Sequence, residues 1–184
     1  MMPRHARQRN SIGNMEKIGK DTFDALSYFK DLGERNKLAK ANEFHVDYCS
    51  GPDGPDAVMA EYRDSANFLL VEDTTSGNTF FSKPGYFDRK VYAVYIIAGY
   101  EHGNEDSFKE KLALCRKIFH QFLRKLIDDK AKFRYGKHLM YLNLETIYSQ
   151  EYGRYSFNGA TGLFFQVQNN EPLNLEPSPE DWEE

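Results

Sequence analysis

Five histidines, two cysteines and a scatter of carboxylates are the groups on this chain most able to do chemistry, and their spacing sets what they could do. His45, Asp47 and Cys49 lie two apart. On a strand that spacing turns all three side chains to one side. An imidazole, a carboxylate and a thiolate on one face are donor types that hold a transition metal. The rest of the chain supplies no partner pair at standard spacing, so the reading adopted is an ordinary edge strand with no metal. Cys115 and His120 stand five apart in a helical segment and do not share a face. Cys115 falls on the apolar stripe of that segment and reads as a small core residue, not a nucleophile. Glu101-His102-Gly103-Asn104-Glu105-Asp106 gathers carboxylates beside a histidine, and its simplest role is a strand-to-helix turn with an acidic helix start. Tyr152, Arg154 and Tyr155 interleave aromatic rings with a guanidinium, a set that can stack on bases or serve a protein interface. No P-loop, dinucleotide fingerprint, nucleophile elbow or zincin motif is present. The expectation is therefore a protein without catalytic residues, cofactor or metal.

Composition narrows the partners. A chain of 184 residues with a net charge of -4 fits one domain with tails, and its mild acidity argues against nucleic acid as the main ligand. With the chain acidic overall, the Tyr152–Tyr155 stretch reads as an interface. Phe and Tyr dominate the aromatic residues, and Tyr suits half-buried surfaces that meet partners. No run of about eighteen apolar residues exists to span a membrane, and Met1 to Lys20 lacks the apolar core of a signal peptide. Two cysteines make no disulfide framework, so a reducing, cytoplasmic setting is the default expectation. Charge is uneven along the chain. Residues 1–20 read as a basic arm, with Arg4, Arg7, Arg9, Lys17 and Lys20 against Glu16 alone. Residues 171–184 read as an acidic tail with no basic residue. The two are either solvated tails or complementary arms that reach neighbouring copies.

The elements between them must position any site, and they make one domain over residues 21–170. Asp21 or Thr22 can cap a helix towards Lys40, with Gly33 ending its first segment. Glu43 to Cys49 reads as a short strand, Ser50 to Pro55 is a turn, and residues 56–63 can form a short helix. Residues 67–72 and 88–100 are strands apolar on both faces, with a possible short strand at 78–82 between them. Asn104 caps a long helix whose stripe is Phe108, Leu112, Cys115, Phe119, Phe122 and Leu126, widened by Ile118 and Leu123. That stripe covers one face of the sheet; the other face needs a second layer from this chain or another subunit. Two one-sided strands at 142–148 and 163–168 close the chain, joined by an aromatic and glycine-rich link, 150–160, that is too long for a two-residue hairpin. The fold class is α+β: a mostly antiparallel sheet with the long helix on one face and an additional N-terminal helix.

The order of an early helix, early strands, the segment Gly85-Tyr-Phe-Asp-Arg-Lys-Val-Tyr-Ala-Val-Tyr-Ile96, a long helix and a final pair of strands resembles the tail-terminator and tail-completion proteins of bacteriophages over residues 21–170. The resemblance implies a non-enzymatic virion protein, assembled in the bacterial host cytoplasm as a ring, commonly a hexamer. Such a ring sits at the end of the tail tube and joins tail-tube and connector or neck proteins. The longer N-terminal region and the loop at 50–66 depart from small members of that group. On this reading Tyr152, Arg154, Tyr155 and Phe157 make intersubunit or tail-tube contacts. Two other functions fit the sequence: a non-catalytic adaptor from a mobile element, or a small enzyme whose site collects His45, Asp47 and His138 from distant segments.

Overall fold

Strands apolar on both sides need cover on both sides, and here they take the middle of a sheet. A computed structural model of the protein describes residues 23–51, 53–62, 66–157, 159–178 and 180, with Tyr155 described by its backbone alone. The basic arm at 1–20, the caps expected at Asp21 or Thr22 and the last four residues of the acidic tail lie outside the described residues. The chain runs α1 (Ala25–Arg35), α2 (Lys37–Ala41), β1 (His45–Cys49), α3 (Gly54–Glu61), β2 (Asn67–Glu72), β3 (Ser76–Ser82), β4 (Gly85–Gly99), α4 (Glu105–Ala131), β5 (Leu142–Phe157) and β6 (Ala160–Leu173). Six strands form one mixed sheet in the order β1-β2-β4-β6-β5, with β3 pairing β4 off that path. Only β1 and β2 are parallel, with α3 as their crossover; the remaining pairs are antiparallel. The expected α+β fold is present.

β4 is long enough to use two partners on one side. Its second half pairs with β2 and its first half with β3, while β6 follows it from Tyr86↔Leu173 to Gly99↔Ala160. The β3 half projects as a hairpin arm that is largely exposed.

α1 and α4 cover one face. Asp24 caps α1 by accepting from the Ser27 N–H at 3.0 Å, and Ala25, Tyr28, Phe29 and Leu32 turn inward at helical spacing. Gly33 does not end the helix, as the sequence suggests it should. It sits inside the contact with the sheet: an added Cβ would stand 2.9 Å from Val46 Cγ1 and 3.1 Å from Leu69 Cδ2. Absence of a side chain there serves close packing, and the break falls three residues later. Asn36 closes α1 with its backbone N–H and caps α2 by accepting from the Ala39 N–H. Asn104 caps α4 as expected, accepting from Asp106 and Ser107 N–H groups at 3.1 Å. Cys115, Ile118, Phe119, Phe122 and Leu126 of α4 are buried against Val94, Ile96, Leu163, Phe165 and Val167, and Leu112 is buried on the same helix. Each such fully buried side chain stabilises the fold by roughly 1.5–3 kcal/mol.

The last two strands correct a sequence expectation. β5 and β6 extend far past the segments marked by alternation, and only positions 158 and 159 lie between them. The connection is a tight two-residue hairpin, with Gly159 at φ 79°. Asn-Gly between apolar strands was the local signal for it. Tyr and Gly residues inside the link masked that signal, because pairing of the strands overrides their local turn character. β6 also continues to Leu173, so the acidic stretch begins inside the sheet: Glu171 accepts from the Phe23 N–H and from Asn169.

Candidate interaction surface

The second face of the sheet is only partly covered. α3 lies over its β1–β2 side, where Val58 and Met59 pack against Cys49, Phe68, Leu70 and Ile97. Beyond Ile97 no described helix lies on this face. Side chains directly across from one another share a face, so the register places Tyr95 beside Phe164, Phe164 beside Gln150, and Gln166 beside Tyr148. The result is a row of rings. Phe164 lies 5.7 Å from Tyr95, 5.8 Å from Tyr148 and 5.8 Å from Tyr152, and Tyr152 meets Phe157 edge-on at 4.6 Å. Tyr95, Tyr152 and Phe164 are half-buried and Tyr148 is 52% exposed, with Gln150, Gln166 and Gln168 around them. Burial, then the Glu72 carboxylate that accepts its hydrogen bond, pushes the Tyr95 hydroxyl up to about 12. Burial first and Tyr95 second raise that of Tyr152 as well. Both hydroxyls stay protonated at neutral pH; that of Tyr95 is already donated to Glu72, and that of Tyr152 can donate to a partner.

The same face continues onto the arm. Phe80 stacks on Phe87 at 5.7 Å, and the Arg89 guanidinium lies 4.5 Å over Phe80 while donating to Asn170 Oδ1 at 3.1 Å. On the opposite side of the arm Phe81 meets Tyr86 at 5.3 Å, and these two are 61% and 47% exposed. β3 contains no charged residue and no proline, the devices that usually keep an edge strand from pairing.

The four residues expected at the interface are distributed unequally. Tyr152 belongs to the ring row, and Phe157 is buried behind it with 8% exposure. Arg154 points elsewhere, because pairing is irregular between Tyr152 and Phe157. Its guanidinium lies 5.2 Å over Phe108 and 3.3 Å from Glu105, at the start of α4 on the other face. The Arg154 carbonyl accepts from the Tyr100 hydroxyl at 2.7 Å, which fixes the strand there. Tyr155 has no described side chain. Tyr95, Tyr148 and Phe164 were missed as surface residues. Their signal was the all-apolar β4 with too little predicted cover, which flags the face without choosing the rings.

The other sequence candidates are dispersed. His45 and Asp47 adjoin, Nε2 to Oδ2 at 3.5 Å, and the His45 ring lies on Tyr62 at 4.0 Å. Burial opposes ionisation of Asp47, but the Tyr48 N–H, Lys30 and His45 together hold its carboxyl below the usual range. Cys49 is buried, and burial, then Glu72 and Asp73, pushes its thiol up to about 12. His138 sits in the turns before β5, while His45 is on β1 at the opposite sheet edge. Cys115 is a core residue with its thiol also raised by burial to about 12. Among the described residues no three His, Cys, Asp or Glu side chains converge on a point that could hold a metal ion. No described helix is long and apolar enough to cross a membrane.

No protein-family model matches the sequence, and comparison with curated proteins gives no match.

Proposed function

We propose that this chain is a structural subunit that works by self-assembly, of the kind that completes a phage or prophage tail: a tail terminator or head–tail completion protein forming a ring at the end of the tail tube. The observation that carries the proposal is the half-covered sheet face, whose aromatic row runs onto an exposed arm. Half-buried tyrosines and an arginine stacked on a phenylalanine are residue types favoured at interface cores. An interface of standard size removes roughly 1,600 Å² from water, and a row of large rings flanked by glutamines supplies both the apolar centre and the polar rim. The far side of the arm, where Phe81 meets Tyr86, and the ring row are different surfaces of one chain. A contact between the two in successive copies is head-to-tail, and such contacts close into rings when the rotation allows.

Light scattering across protein concentration and salt tests the proposal. A ring-sized species, alone or on addition of tail-tube protein, is expected for the native chain. A strict monomer under every condition would move the reading to a monomeric adaptor.

A further inference from the structure

α1, α2 and α4 enclose a groove of about 350 Å³ on the helical side of the molecule. Leu32 and Phe122 form its apolar floor, and Arg35, Lys37 and Lys125 stand around it. Pockets that hold small organic groups begin at roughly 300 Å³. The nearby acids do not cancel the charge. Arg35 donates to Asp31, and Lys125 and Arg134 both face the buried Asp129. Of the three basic groups that line the groove, Arg35 and Lys125 are each paired with a carboxylate, which leaves Lys37 exposed with no ion pair among the described residues. Asn36 donates to Gln121 across the groove at 2.9 Å, which holds its two walls at a fixed separation.

The chain carries a segment of the opposite character. Residues 171–184 contain no lysine or arginine, and Glu180, Asp181, Glu183 and Glu184 flank Trp182, the chain's single tryptophan. The described residues leading to it, Leu175, Glu176 and Pro177, are exposed beyond the end of β6. Trp182 lies nine residue steps beyond Leu173, a stretch that can span about 30 Å when extended, enough to reach past the domain surface.

We infer that the acidic segment around Trp182 of one copy docks in the α1–α4 groove of a neighbouring copy. The indole lies on Leu32 and Phe122, and the carboxylates meet Arg35, Lys37 and the rim around them. This contact rests on the self-assembly reading above and names one of its joints. An aromatic anchor in an apolar slot with a charged rim combines the strongest and the most salt-sensitive parts of an interface.

The single tryptophan makes the test direct. In the native protein, emission should be blue-shifted and poorly quenched by acrylamide. Dilution or high salt should shift it red. The groove variant Arg35→Gln with Lys37→Glu should stay folded by circular dichroism, emit red-shifted, and show several-fold stronger quenching. Adding Trp182→Phe protein, which has an intact groove and no tryptophan, should restore the blue shift of the groove variant. As a second arm, Glu180→Gln, Asp181→Asn, Glu183→Gln and Glu184→Gln together should redden emission without touching the folded domain. Solvent-exposed emission from the native protein in its assembled state would overturn the inference while leaving self-assembly standing. So would a blue shift that is independent of concentration and unaffected in the mixture, since that means docking within one chain.

Discussion

Asp129 shows how one residue can tie together elements that the sequence lists separately. Its side chain is fully buried, and it accepts from the Tyr28 hydroxyl at 3.1 Å and pairs with Lys125 and Arg134. One carboxylate thus joins α1, α4 and the turn after α4. Removing one member of a buried charge network leaves the others uncompensated, which costs about 3–5 kcal/mol. Asp129→Ala should lower the urea midpoint accordingly, whereas Asp31→Ala, on the exposed side of α1, should change it little. The spacing of the stripe already pointed at position 129, since 115, 119, 122, 126 and 129 recur by three and four. Its residue type concealed it, because an aspartate in a stripe reads as the stripe's end. The same scale fixes the alkaline limit. Burial raises the Tyr92 and Tyr95 hydroxyls from 10.0 to about 12 and the Cys115 thiol from 9.0 to about 12. Groups with raised folded values contribute stability that is complete below their unfolded values and is lost as pH rises through the folded ones. Stability should therefore begin to fall above the unfolded thiol value of 9.0 and decline towards about 12. Denaturant titrations over that range, with tyrosinate absorbance recorded alongside, check the sign; a rise in stability would contradict it.

Among the elements, the β4–β6 ladder is the least tolerant of change. A Cβ on Gly162 would lie 2.0 Å from the Ile96 carbonyl oxygen, at φ +154°. Gly162→Ala must push two central strands apart and should cost at least about 2 kcal/mol, measured by denaturant unfolding. The arm behaves oppositely. Phe81 and Tyr86 are exposed, so Phe81→Ser with Tyr86→Ser should move stability by no more than about 0.5 kcal/mol per site. If the arm meets a neighbouring copy, the same pair should raise the concentration needed for assembly; unchanged assembly would remove the arm from the interface. Elements with strong periodicity were legible in the sequence. α4 was marked by its cap and stripe, and β2 and β4 by their apolar runs. Elements whose ends depend on pairing were not. β5 and β6 appear in the sequence as short alternating pieces because two irregularities interrupt their register, between Asn143 and Tyr148 and between Tyr152 and Phe157. The second irregularity also explains why Tyr152 and Arg154, two apart in sequence, serve opposite faces. No reading by twos could separate them.

For the whole molecule, the unequal cover of the two sheet faces is the property that matters most. α1 and α4 close one face, while α3 closes only the β1–β2 side of the other. The sequence showed that one helical stripe could not cover both faces, but not which rings would remain at the surface, since that follows from register. Self-assembly through those rings is the central claim. Its most direct measurement is the solution mass by light scattering of the native chain and of Tyr148→Ser with Phe164→Ser, over the same concentrations, with helix content recorded by circular dichroism. The account predicts a concentration-dependent, ring-sized species for the native chain, and a monomer of unchanged helix content for the variant. Equal masses for the two proteins at every concentration would contradict it.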